Sequence, residues 1–203
     1  LELSNGDKIL DFTSGIGVLA LGHNHKKIID VERKFQDLNI VDTQKFGPNK
    51  LQAALAYNLS QLLPEDLEVS FFAVSGAESV EAAIKLSTMA KGNKAKYFIS
   101  ATEGYHGKTL GALSLTDTEN FSEGFHVGLP KENTIKIDYN NIQSYKDIIL
   151  ELSKEKIIAI IVEPIQGQIV EVAKKNYLKE ISEISNQNNI IVIFDEIKCG
   201  LGR

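Results

Sequence analysis

Two short stretches of this chain place chemistry-bearing residues where a ligand would meet them. In residues 69–91 the apolar run Val69 to Val74 reads as a short buried strand. Ser75 and Gly76 break it, and a helical pattern starts at Ala77 with Val80, Ala83 and Ile84 on one face. A strand that stops at a small-residue turn and opens a helix aims free backbone N–H groups at one spot. The helix dipole adds partial positive charge there, so Ser75, Gly76 and Ala77 read as an anion site suited to a phosphate. Gly76 has no side chain to obstruct a close approach. The same residues also fit a capping box, Ser75-x-x-Glu78, in which hydroxyl and carboxylate serve the helix end themselves.

The second stretch runs from Asn189 to Glu196. Ile190, Ile191, Val192, Ile193 and Phe194 form an unbroken apolar run, mostly β-branched, which predicts a strand covered on both faces. Asp195 and Glu196 follow at its carboxyl end, the side of an open α/β sheet on which ligands bind. A solvated strand end or the cap of a following turn is the alternative for these two acids. Glu163, before Pro164 at the end of another apolar run, would face the same rim; it either supports a site there or caps its own turn.

Gly104-Tyr105-His106-Gly107-Lys108-Thr109 ends like a phosphate-binding P-loop, but only two residues separate its glycines where that loop needs four. Such a loop is too short to wrap a phosphate chain, and a nucleotide triphosphatase is not expected. His23 and His25 have no carboxylate or cysteine cluster near them in sequence, so they are assigned to a loop and no metal site is predicted. His106 receives no partner and no general-base role, and Lys85 reads as part of a solvated helix face.

The elements that must position these residues alternate along the chain. Asn5-Gly6-Asp7 marks a turn before a short strand, Lys8 to Phe12, and Thr13 to Gly17 a loop. Helices are predicted over Lys26 to Leu38 and Lys50 to Leu63, with a loop over Asp42 to Asn49 between them and Pro64 as the second helix's stop. After the 77–91 helix, closed by Gly92, strands are predicted at Lys96 to Ala101, Thr134 to Ile137, Ile157 to Val162 and 190–194. Helices marked by Ile142, Tyr145, Ile149 and Leu152, and by Tyr177, Leu178, Ile181 and Ile184, separate the later strands. Leu110 to Leu115 fits helix and strand equally, and Phe121 to Asn133 reads as a loop. Alternating strands and helices predict an α/β fold with a mostly parallel sheet covered on both faces.

Composition narrows the function classes. The 203 residues are 43% hydrophobic and 24% charged, an ordinary globular balance. A net charge of -5, with no basic run, argues against a nucleic-acid-binding protein. The apolar stretches are too short to span a bilayer, and the opening Leu1-Glu2-Leu3-Ser4 does not read as a secretory signal. The single cysteine, Cys199, makes no internal disulfide, so a cytoplasmic setting is expected. The chain starts without Met and stops at Gly200-Leu201-Gly202-Arg203, directly after a core strand, which reads as a fragment.

Taken in order, Gly15-Ile16-Gly17, Gly22-His23-Asn24-His25, Ser75 to Ala83, Gly104 to Thr109, Val162-Glu163-Pro164-Ile165-Gln166-Gly167 and Asp195-Glu196-Ile197 resemble the class III aminotransferases. These are pyridoxal-phosphate enzymes of fold type I that include acetylornithine, ornithine, putrescine and 4-aminobutyrate aminotransferases. The resemblance implies that residues 1–50 belong to the small N-terminal domain and entry loops, and 51–203 to part of the large cofactor-binding domain. It implies pyridoxal 5'-phosphate as cofactor, with its phosphate on Ser75, Gly76 and Ala77 and its ring stacked on Tyr105. Asp195 would keep the pyridine nitrogen protonated, and the Schiff-base lysine would lie beyond Arg203, so the fragment alone is expected to be inactive. An amine donor and a 2-oxo acid acceptor would be the substrates, and the family's shared site implies a homodimer.

Three departures from the family pattern stand out. Lys198 replaces a glutamine that donates to the cofactor's phenolic oxygen; a lysine there either donates as a cation or disturbs the cofactor. Gln168 replaces a glutamate that in some members gates a substrate-binding arginine, and Cys199 stands where a small hydroxyl residue is common. Lys108 follows the His-Gly pair where acetylornithine enzymes tend to carry Arg, a tilt toward amines with a terminal amino group. With Lys198 and Gln168 in place, the alternative is a degenerate relative that serves as a structural or interaction subunit.

Overall fold

A computed structural model describes residues 1–39, 47, 49–64, 67–124 and 128–202. It divides into two compact units, Leu1–Phe71 and Phe72–Arg203. Most of the predicted loop over Asp42 to Asn49, and part of the one over Phe121 to Asn133, lie outside the described residues. Among the described residues no helix is long and apolar enough to cross a membrane.

The first unit holds short helical pieces. α1 (Ser14–Gly17) is a single distorted turn with Gly15 and Ile16 at positive φ, and Asp11 Oδ1 accepts from the amides of Thr13 and Ser14 at 2.9 Å each. Those amide bonds hold the Asp11 carboxyl below its usual range. α2 (Lys26–Asp37) matches its prediction. α3 (Lys50–Ser60) opens on Asn49, whose side chain accepts from Leu51 and Gln52, and it stops short of the predicted Leu63. The amides of Leu62 and Leu63 both fold back on the Leu59 carbonyl, and the residue before Pro64 is disfavoured in helical geometry. The strand predicted over Lys8 to Phe12 shrinks to one antiparallel bridge, Glu2 to Lys8. The turn at Asn5-Gly6-Asp7 closes it, but beyond the Ile9 to Leu1 bond the ladder has no further rung among the described residues.

The second unit is a parallel α/β sheet. α4 (Gly76–Lys91) leads to β1 (Tyr97–Ala101), α5 (Leu110–Leu115), β2 (Thr134–Ile137), α6 (Ile142–Leu152), β3 (Ile157–Val162), α7 (Tyr177–Gln187) and β4 (Ile191–Phe194). The strand order is β2-β1-β3-β4, and every pairing is parallel. All six residues of β3 are buried, as its unbroken apolar run requires. One face of the sheet packs Phe98, Ile158 and Ile161 against Val80 and Ile84 of α4 and Ala112 and Leu115 of α5. The other packs Ile99, Ile160 and Val162 against Tyr145 of α6 and Tyr177 and Ile181 of α7. A register shift between Tyr97 and Phe98 gives β3 one extra residue, which is why Ile158 and Ala159 fall on the same face.

The strand predicted at 69–74 is not formed. The segment lies outside any ladder, with Val69 95% and Val74 92% exposed. Apolar, β-branched composition suits a strand, but a strand also needs a hydrogen-bonding neighbour, and among the described residues this segment has none. The undecided stretch Leu110 to Leu115 is a helix because a distant acceptor caps it. Glu81 Oε1 accepts from Gly111 and Ala112 amides at 2.7 and 3.2 Å and from the Thr109 hydroxyl at 2.6 Å. α5 then crosses one face of the sheet while α7 crosses the other. The loops after β1 and β3 therefore leave in opposite directions, opening a crevice at the carboxyl ends of these neighbouring strands.

Candidate functional site

Three segments meet at that crevice. The first is the turn into α4. Ser75 has extended geometry and its hydroxyl accepts from the Glu78 amide at 3.2 Å, while the Glu78 carboxylate accepts from the Val74 amide at 2.9 Å. The capping box is thus present, with its carboxylate reaching one residue further back than usual. It engages the amides of Val74 and Glu78. Those of Gly76 and Ala77 belong to the first turn, where no intrahelical acceptor exists. The cap and an anion site are therefore compatible at one helix end.

The second segment is the turn after β4. A β-carbon on Gly76 would stand 2.7 Å from Ile197 Cδ1, so the start of α4 lies directly on this turn. Asp195 is 6% exposed, and its Oδ1 accepts from the Ile197 amide at 3.1 Å. The third segment is the loop after β1. Gly107, at φ +123, has the position of its missing Cβ 2.7 Å from Ala77 Cβ, so this loop too lies against the helix start. His106, on the same loop, is 2% exposed and its Nδ1 lies 2.7 Å from Asp195 Oδ2. Each segment therefore touches the other two.

Thr116 fixes the histidine from behind. Its hydroxyl oxygen accepts from the His106 amide at 2.9 Å and lies 3.0 Å from the Gly107 carbonyl. Glu163, 4% exposed at the end of β3, ties the loops together: Oε2 accepts from the Tyr105 amide at 2.9 Å and Oε1 from the Gly167 amide at 2.8 Å. Burial pushes its carboxyl above the usual range, against the pull of the Gly167 and Tyr105 amides. Gln166 is fully buried and donates from Nε2 to the Thr102 carbonyl at 2.7 Å.

The remaining predicted residues lie around this centre. Tyr105 is half-buried and meets Phe121 edge-on at 6.0 Å between ring centroids. Lys108 is exposed, with its ammonium 3.9 Å over the same Phe121 ring. Lys198 is half-buried, with the stem of its side chain along Gly167. The side-chain oxygen of Gln168 accepts from the Thr118 hydroxyl at 3.1 Å. Cys199 lies 3.5 Å from Glu196 Oε2, and burial pushes its thiol up.

Sequence reasoning missed two participants. His106 was given no partner, and the structure supplies Asp195, 89 residues away. The available signal was a polar ring set among glycines, whose small size lets a loop pack inward. Glu81 lies within the predicted 77–91 helix with nothing in sequence to mark it, yet it organises α5 from about thirty residues upstream.

An open parallel sheet that gathers a helix N-terminus, a buried acid and a buried histidine at its carboxyl edge has the arrangement at which α/β folds bind ligands. The whole chain, residues 1–203, matches the family described as class III aminotransferase, and it belongs to that family. Among curated relatives, the acetylornithine aminotransferase of Methanocaldococcus jannaschii is 35% identical over 204 residues, covering 98% of this chain and 49% of the relative. The putrescine aminotransferase of Pectobacterium atrosepticum is 35% identical over 205 residues, covering 98% of this chain and 43% of the relative. Among solved structures, the ornithine aminotransferase of Toxoplasma gondii, described with partial occupancy of PLP at its active site, superposes with a TM-score of 0.81 at 25% identity. That match covers 97% of this chain and 46% of the solved one. The chain thus spans about half the length of the curated relatives it matches.

Proposed function

We propose that the intact protein transfers an amino group from an amino acid or a diamine to a 2-oxo acid, with pyridoxal 5'-phosphate as cofactor. Family membership supports the reaction class, and the acetylornithine and putrescine enzymes among its relatives support the substrate class. The observation that carries the reading is the contact between Gly76 and Ile197, which brings a helix N-terminus beside a buried acid.

The chain's donors and acceptors fit the cofactor's two ends. The amides of Gly76 and Ala77 and the Ser75 hydroxyl would hold the phosphate, at the positive end of α4. Asp195, an acceptor held in place by His106 and the Ile197 amide, would accept a hydrogen bond from the protonated ring nitrogen and so keep the proton there. When bound, the cofactor would supply an electron-withdrawing ring beside the substrate carbon. Tyr105 would stack on the ring, and Lys198 would donate to the phenolic oxygen as a cation. Glu163 and Lys108 act in support or at the substrate.

Residues 1–50 belong to the small domain and entry loops, and 51–203 to the large domain. The family's catalytic lysine follows the Asp-Glu pair further along, so this chain by itself turns over no amine. The intact protein works in the cytoplasm as a homodimer. A catalytically silent relative is the competing reading, motivated by Lys198 and Gln168. An absorbance scan of the intact protein with pyridoxal phosphate, followed by a panel of amines, decides between them. The expected result is a yellow complex bleached by amino acids or diamines. A yellow complex that no amine bleaches supports the silent relative, and no complex at all contradicts the cofactor assignment.

A further inference from the structure

Three titratable side chains are buried together at the carboxyl ends of β3 and β4, and the proposed chemistry uses only one of them directly. Asp195 and Glu163 end neighbouring strands, and His106 lies on the loop after β1. His106 Nδ1 is engaged by Asp195, while its Nε2 is buried without a hydrogen-bond partner. That nitrogen and the Glu163 carboxylate both border the space left by Gly104. Around the position of a β-carbon at residue 104 stand the Ala101 carbonyl oxygen at 3.0 Å, His106 Nε2 at 3.3 Å and Glu163 Oε2 at 3.6 Å. The two other atoms around that position are both acceptors. A bare ring nitrogen among acceptors is repelled, whereas an N–H is attracted by both. One intervening water joins the pair.

We infer that Glu163 is a positioning residue for Asp195, acting through His106: its carboxylate holds a proton on His106 Nε2 while the Nδ1–H donates a hydrogen bond to Asp195. The ring then donates at both nitrogens, and Asp195 can only accept. That holds Asp195 as an acceptor, and it gives Gly104 a purpose, since a side chain there would crowd both Nε2 and Glu163 Oε2. Glu163 keeps its two amide donors throughout, so it is itself oriented by the backbone. The inference rests on the reading of Asp195 as the cofactor's partner, but its test does not need the cofactor.

The test is ¹⁵N spectroscopy of histidine-labelled intact protein without cofactor, with His106 assigned by its loss in His106→Asn. The expected result is a proton on both His106 nitrogens. In Glu163→Gln the Nε2 proton exchanges at least about tenfold faster, as for loss of one charge-assisted hydrogen bond. Gly104→Ala gives the same change while leaving the bonds of Glu163 to Tyr105 and Gly167 in place, which separates this effect from a general loosening of the loops. Nε2 without a proton in the parent protein, or unchanged exchange in both variants, overturns the inference. Failure to bind pyridoxal phosphate would instead count against the cofactor reading and leave this spectrum unaffected.

Discussion

Gly76 and Ile197 are in contact only because residue 76 has no side chain: an added β-carbon would lie 2.7, 3.1 and 3.2 Å from three carbons of Ile197. Through that contact the first residue of α4 and the turn carrying Asp195 form one rim. Gly76→Ala is therefore expected to push the turn away from the helix start. Overpacking of this kind costs about 1–3 kcal/mol, so cofactor affinity should fall about tenfold in an absorbance titration. Ile197→Ala added to Gly76→Ala should recover most of the loss, because it removes the colliding atoms.

Glu81 is expected to be worth more than its place on a half-buried helix face suggests. Glu81→Ala leaves the amides of Gly111 and Ala112 and the Thr109 hydroxyl without their acceptor. The loss of this cap should cost about 2 kcal/mol in urea denaturation of the intact protein. Hydrogen exchange at Gly111 and Ala112 should accelerate selectively, while amides of β3 stay protected.

Lys136 gives the protein a signature in the alkaline range. Its ammonium donates to Ser100 Oγ at 2.9 Å and to the Leu115 carbonyl at 2.6 Å, and burial pulls its pKa down from 10.5 to about 8, against the Asp117 charge. The unfolded chain holds this proton up to the higher value, so between about 8 and 10.5 the unfolded state binds more protons. Stability contributed by this site therefore rises with pH across that window. The difference in unfolding free energy between the parent and Lys136→Met should shift in favour of the parent from pH 8 to 10.5. A difference that stays flat over the window would contradict the burial of the charge.

Asp195→Ala in the intact protein is expected to abolish turnover while the parallel sheet persists, because the side chain lies at the end of β4 and outside the two apolar clusters. Circular dichroism checks the fold and an amine-transfer assay checks the loss. Normal turnover in this variant would remove Asp195 from its assigned role.

The four strands of the sheet and the helices α4, α6 and α7 were legible because each carries its own evidence in sequence. β3 is an unbroken apolar run, and α6 and α7 show helical spacing of their apolar residues. What was not legible depends on partners. Residues 69–74 have strand composition, but composition does not supply a neighbouring strand, and Val69 and Val74 are left exposed. The helical state of Leu110 to Leu115 is decided by Glu81, about thirty residues away. The site divided in the same way. Ser75 and Gly76 were recognisable from the local strand-to-helix pattern and Asp195 from its place after an apolar run. The pairing of His106 with Asp195 needs the fold itself, since 89 residues separate them.

The most direct measurement is a crystal structure of the intact protein soaked with pyridoxal phosphate. The account predicts the phosphate on the amides of Gly76 and Ala77 and the Ser75 hydroxyl, with the pyridine nitrogen at hydrogen-bond distance from Asp195. A phosphate bound elsewhere, or a ring nitrogen that Asp195 does not reach, would contradict it.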